Sequence, residues 1–99
     1  MAYDHCEIDL ETLDTQPGAV ILSIGAVMFD PTLPPSECLG DEFYYVVGVP
    51  TCEALGMTIS ESTLAWWEKQ SPEARKVLTQ ARDPSESISI MKALDRLSL

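Results

Sequence analysis

Lysine and arginine are absent from the first 68 residues of this 99-residue chain, a stretch that carries 12 of its 16 acidic groups. All six cations (Lys69, Arg75, Lys76, Arg82, Lys92 and Arg96) fall in the last third. A protein that grips nucleic acid by counterion release needs a basic footprint, and the first two-thirds offers none. Phosphate approaching that part has to be met through metal ions, or the surface is simply acidic and soluble. Cysteine is scarce as well: Cys6, Cys38 and Cys52 are far apart, which excludes a zinc spacing or a disulfide framework and leaves reduced thiols. No apolar run is long. The longest, from Ala19 to Phe29, is about half of what crosses a bilayer, and Ser23 and Gly25 interrupt it. Residues Met1 to His5 lack the basic and apolar regions of a signal peptide. These absences predict a soluble, cytoplasmic protein with no membrane partner.

What remains suits one small domain, since 45% of the residues are apolar and neither a repeat nor a low-complexity tract interrupts them. The first half reads as β. Strand one is predicted over Tyr3–Leu10, a turn at Asp14-Thr15-Gln16-Pro17-Gly18 follows, and strand two covers Ala19–Phe29. The nearly continuous apolar character of strand two predicts burial on both faces. Strand three is predicted over Phe43–Val49, ending at Pro50, and the short connections favour an antiparallel meander. The second half reads as α. Ser60 is placed to cap a helix through Gln70, and Ser71-Pro72-Glu73 to open a second whose stripe is Ala74, Val77, Leu78 and Ala81. Asp83-Pro84-Ser85-Glu86 has capping-box spacing for a third, with Ile88, Met91, Leu94 and Leu97 on one face.

The chemistry-bearing segment is Glu7-Ile8-Asp9-Leu10-Glu11-Thr12. It puts three carboxylates at alternate positions of a strand, the element that Asp and Glu normally avoid. Alternation sends Ile8 and Leu10 to the core and Glu7, Asp9 and Glu11 to the opposite face. Asp9 and Glu11 are separated by about 7 Å along the strand, so both can reach one ligand. Magnesium takes one or two carboxylates and completes its shell with water and phosphate, and two such ions can drive in-line attack on a phosphodiester. From the pattern alone, a metal site and a solvated acidic face both stand.

Ile8-Asp9-Leu10-Glu11-Thr12-Leu13, with Pro17-Gly18-Ala19-Val20-Ile21-Leu22-Ser23-Ile24-Gly25-Ala26-Val27, resembles the opening of DEDD-family 3′–5′ exonucleases (DEDDh type). The closer likeness is to the exoribonuclease-like branch of phages and mycobacteria, which Thr58-Ile59-Ser60, Thr63-Leu64-Ala65-Trp66-Trp67 and Gln70-Ser71-Pro72-Glu73-Ala74 also resemble. The resemblance implies a ribonuclease H-like α/β fold, a two-metal site for Mg²⁺ or Mn²⁺, and release of mononucleotides from the 3′ end of single-stranded or overhanging RNA or DNA. It maps the catalytic metal ligands onto Asp9 and Glu11, and contacts to the terminal nucleotide onto Thr12 and Leu13. The family's second motif (an Asp) and third (an Asp with a general-base His or Tyr) fall past residue 99 on this mapping; Asp95 and His5 match neither. Residues 1–99 are therefore expected to be the N-terminal part of one exonuclease-like domain, an incomplete ribonuclease H-like fold of a three-stranded meander and about three helices. Strand one would then expose an edge that invites pairing with a second copy.

Trp66 and Trp67 lie about 100° apart on a helix, so one packs while the other can line a groove and stack on a base. Trp66 is the groove candidate, the choice between the two being open. Tyr44 and Tyr45 alternate across strand three and read as packing or surface. Cys6 reads as a small packed residue. Three readings follow: a metal-dependent exonuclease carrying its first motif here, a non-catalytic exonuclease-like module for binding or self-association, or, if the motif likeness is accidental, a small acidic binding domain unrelated to nucleases.

Overall fold

Apolar residues alternate with acidic ones in one segment of the first half, run nearly unbroken in the next and end in an aromatic cluster in the third, and the chain there forms three strands, β1 (His5–Thr12), β2 (Ile21–Phe29) and β3 (Leu39–Val46). In this computed structural model, residues 4–97 are described; Tyr3, expected to open the first strand, lies outside them. The sheet order is β1-β2-β3 with both pairings antiparallel, so the meander expected from the short connections is what forms. The β1–β2 turn closes at Gly18, whose φ of 84° is the left-handed conformation glycine adopts without strain.

Helices follow as α1 (Val49–Glu53), α2 (Glu61–Glu68), α3 (Pro72–Arg82) and α4 (Ile90–Leu97). Two helix starts agree with their sequence signals. The Ser60 hydroxyl accepts from the Thr63 N–H, and the Ser71 hydroxyl from the Ala74 N–H, with Pro72 in the first turn where its missing donor costs nothing. The architecture is α/β, a three-stranded sheet followed by helices.

Three boundaries differ from expectation. β3 runs Leu39–Val46 rather than Phe43–Val49, because pairing with β2 recruits Leu39 to Glu42 in spite of weak strand propensity. Pro50 does not merely end the strand; it sits in the first turn of α1, a short helix additional to the three expected. The last helix begins at Ile90, not at Asp83. The Asp83 carboxylate instead accepts from the Ser85 N–H and hydroxyl, forming a turn, while the Ser89 hydroxyl accepts from the Lys92 N–H and caps α4. Between them Ile88 makes a parallel bridge to Val47.

The core gathers Leu13, Val20, Leu22, Ile24, Val47, Cys52, Trp67, Leu78, Ala81, Ile90 and Ala93. β2 is the central strand, and Leu22, Ser23 and Ile24 are buried in succession, as a strand covered on both faces requires; from Gly25 onward burial is partial. β1 departs from expectation. Ile8 and Leu10 are 53% and 46% exposed, and Cys6 is exposed too. The alternation is right but the cover is missing: β1 lies at the sheet margin, and α3 packs on the carboxylate side of the sheet, opposite Ile8 and Leu10. The six cations are all solvent-exposed on or beside the helices. No helix among the described residues is long and apolar enough to cross a membrane.

Candidate nucleic-acid and metal site

The pairing register assembles the site across the sheet. Asp9 faces Gly25, which faces Tyr44; Glu11 faces Ser23, which faces Val46. Directly paired residues share a face, so Asp9, Glu11, Ser23, Gly25 and Tyr44 all look the same way, towards α2 and α3. They line one hollow of about 270 Å³, closed on the helix side by Trp67, Ala74 and Val77. Asp9 is exposed and Glu11 half-buried. Burial, and then the Asp9 charge, push the Glu11 carboxyl above its ordinary value.

Between Glu11 and Thr12 the register shifts: Glu11 pairs with Ser23 but Thr12 with Ile21, and Leu22 is skipped. Irregularities of this kind re-aim side chains at strand ends. Beyond the shift, Thr12 turns into a second cleft of about 410 Å³, lined by Glu11, Thr12, Asp14, Thr63, Trp66 and Trp67. Glu11 and Trp67 border both spaces.

Hydrogen bonds tie the elements around the cleft together. The Trp67 indole N–H donates to the Thr12 carbonyl at 2.9 Å, and the Ser60 N–H donates to the Leu13 carbonyl at 2.8 Å. Leu13 donates to Val20 at 2.9 Å, and the Thr58 hydroxyl donates to the Asp14 carboxylate at 2.7 Å. That hydroxyl, followed by the N–H groups of Thr15 and Gln16, holds the Asp14 carboxyl below its ordinary value. Helix α2 is thereby fastened to the end of β1 that follows the carboxylates.

Each residue expected at the site has a definite place. Asp9 and Glu11 share a face and a hollow. Thr12 lines the cleft, its hydroxyl donating to the Asp14 carbonyl at 2.8 Å. Trp66 is 56% exposed on the cleft, its ring edge-on to Trp67 at 5.3 Å and 88°. Trp67 is the packed one of the pair. Leu13 lies in the core, its side chain 1% exposed and both its backbone groups bonded within the fold, away from the cleft surface where a nucleotide contact was expected. His5, at the far end of β1, bonds Asp4 at 2.8 Å. Tyr44 and Tyr45 separate as alternation requires: Tyr45 receives the Arg96 guanidinium, which bonds its hydroxyl at 2.9 Å, while Tyr44 stands 59% exposed over the carboxylate face. The reading of Tyr44 as packing or surface missed its neighbour across the sheet. Only the register supplies that relation.

The pair suits a hard divalent cation, which needs one or two carboxylate oxygens and an open side for water and phosphate. Among the described residues no group of three or more His, Cys, Asp or Glu side chains converges, so Asp9 and Glu11 would hold it as a pair.

A three-stranded antiparallel sheet with helices, two carboxylates on one face and an aromatic-walled cleft beside them make up an α/β domain. The chain belongs to the 3′–5′ exoribonuclease Rv2179c-like domain family, whose sequence profile matches residues 4–98. No curated protein and no solved structure matches it. Family membership gives the domain exonuclease character and a nucleic-acid substrate.

Proposed function

We propose that this chain carries the first metal-ligating motif of a metal-dependent DEDD-type 3′–5′ exonuclease with a ribonuclease H-like fold, of the phage and mycobacterial branch. Its substrates on this reading are single-stranded or overhanging RNA 3′ ends. One observation carries it: Asp9 and Glu11 share a hollow, and Glu11 also lines the neighbouring cleft of Thr12 and Trp66. Asp9 and Glu11 would hold Mg²⁺ or Mn²⁺, which would supply charge neutralisation at phosphate and a bound water of lowered pKa. In the cleft, the Thr12 hydroxyl spends its proton on the Asp14 carbonyl and keeps its oxygen as an acceptor, suited to a ribose hydroxyl. The exposed Trp66 ring offers a π-face to the terminal base. Leu13 has no part beyond the core.

The test is trimming of a 5′-labelled RNA with a 3′ overhang, in Mg²⁺ or Mn²⁺, beside an Asp9→Ala variant. Metal-dependent shortening that the variant loses supports the enzyme. The uncovered apolar pair Ile8 and Leu10 beside the strand margin favours a second reading, a non-catalytic exonuclease-like module for binding or self-association. Thermal stabilisation by metal with no shortening selects that module. Neither response, in a folded chain, removes both.

A further inference from the structure

We infer that Tyr44 is a second base-stacking contact, seating the nucleotide on the 5′ side of the scissile phosphate; the inference rests on the exonuclease reading above and extends it to a second subsite. Tyr44 is two strand spacings, about 10 Å, across the sheet from Asp9 and on the same face. The residue between them is Gly25, the one position of that row without a side chain. A Cβ there would lie 3.8 Å from the Tyr44 ring and 3.9 Å from the Asp9 carbonyl, so its absence leaves the floor between carboxylate and ring bare.

Two adjoining hollows of about 270 Å³ each share Asp9, Gly25 and Tyr44, and together they form a trough across the sheet. At one end it is lined by Glu11, which also lines the Trp66 cleft; at the other it is flanked by Glu7 and Glu42. A strand whose terminal nucleotide occupies the cleft and whose last phosphate lies at Asp9 and Glu11 has its next nucleotide over Gly25. The acidic flank repels phosphate there, so the neutral base is what lies in the trough. Tyr44, 59% exposed, offers the aromatic face to meet it. Stacking of this kind is indifferent to sequence, as an enzyme that shortens any 3′ end requires.

The experiment measures Mn²⁺-dependent binding of a 5′-fluorescein single-stranded RNA, its last linkage a phosphorothioate to prevent trimming, and of a 5′-mononucleotide by tryptophan quenching. The Tyr44→Ala variant is expected to bind the RNA about tenfold more weakly and the mononucleotide unchanged, because the mononucleotide occupies only the cleft. Tyr44→Phe keeps the ring and is expected to stay within about twofold of the parent. RNA affinity unchanged in Tyr44→Ala, equal losses for RNA and mononucleotide, or a full loss in Tyr44→Phe each overturn the stacking contact. If Asp9→Ala loses RNA while Tyr44→Ala keeps it, this inference falls and the exonuclease reading stands. A parent chain that binds neither ligand in Mn²⁺ overturns both.

Discussion

Glu11 is under opposing demands. Half-burial and the Asp9 charge two residues away disfavour its ionised form, yet ligation of a cation requires that form. Its titration in the folded chain is shifted upward, so folding favours the protonated acid. That stabilising contribution is complete at pH values below the ordinary glutamate range and is lost as pH rises through the raised folded value. Above that range the ionised Glu11 carboxylate therefore disfavours the fold. Glu11→Gln is expected to raise Tm at pH 7 by a few degrees, less than the roughly 4–8 °C that about 1 kcal/mol gives in a chain this size, because solvent screens a half-exposed group. The same variant should lose the Tm increase that Mn²⁺ gives the parent. Calorimetry at pH 4 and pH 7, with and without Mn²⁺, checks both parts: the gain should vanish at pH 4, and a variant still stabilised by Mn²⁺ would remove Glu11 from the metal site. At this scale the sequence was informative, because Asp9 and Glu11 stand at alternate positions whatever the strand later pairs with. Leu13 shows the opposite: its burial depends on α2 folding back over the end of β1, which no neighbouring residue announces.

Among the elements, those legible in the sequence have strictly local causes. Ser60 and Ser71 cap helices through atoms three residues away, and Gly18 supplies a positive φ within its own turn. Where a distant partner decides, the local signal misleads. Asp83 has the spacing of a cap, but the bridge from Ile88 to Val47 draws that segment into extended form and passes the capping role to Ser89. Ser89→Ala is accordingly expected to cost about 1 kcal/mol and lower Tm by about 4–8 °C. Glu86→Ala, which would matter in a capping box opened by Asp83, should be nearly silent in the same melting experiment. Trp67 tests the link between α2 and β1. Trp67→Phe keeps an aromatic ring in the core but removes the donor to the Thr12 carbonyl, at an expected cost of about 1–2 kcal/mol. Loss of amide protection at Thr12 and Leu13 in hydrogen exchange, with the rest of the sheet unchanged, would locate the effect at the strand end; uniform loss would mean the ring's packing alone was at stake.

For the whole molecule, the decisive feature is the outer edge of β1, which pairs with no other strand of the described sheet. A free edge invites strand addition, and Ile8 and Leu10 beside it are half uncovered. Charge opposes the simplest partner. In an antiparallel pairing of two β1 strands centred on Asp9, Ile8 of one copy meets Leu10 of the other, which covers the apolar face well. On the other face Asp9 meets Asp9, and Glu7 meets Glu11, so like charges stand opposite one another along the whole contact. Shifting the pairing by one residue sets the acidic face of one copy beside the apolar face of the other, which helps neither. Self-association through this edge is thus expected to depend on neutralising the carboxylates. Light scattering at pH 7.5 should give a monomer without metal and a dimer on addition of Mn²⁺, while the double variant Asp9→Asn with Glu11→Gln dimerises without it. Ile8→Lys, which puts a charge on the face that has to be covered, should stay monomeric throughout. A metal-independent dimer of the parent chain would place the contact elsewhere on the molecule. A doubly neutralised variant that remains monomeric at high concentration would show that the edge, although open, does not accept a second copy of itself.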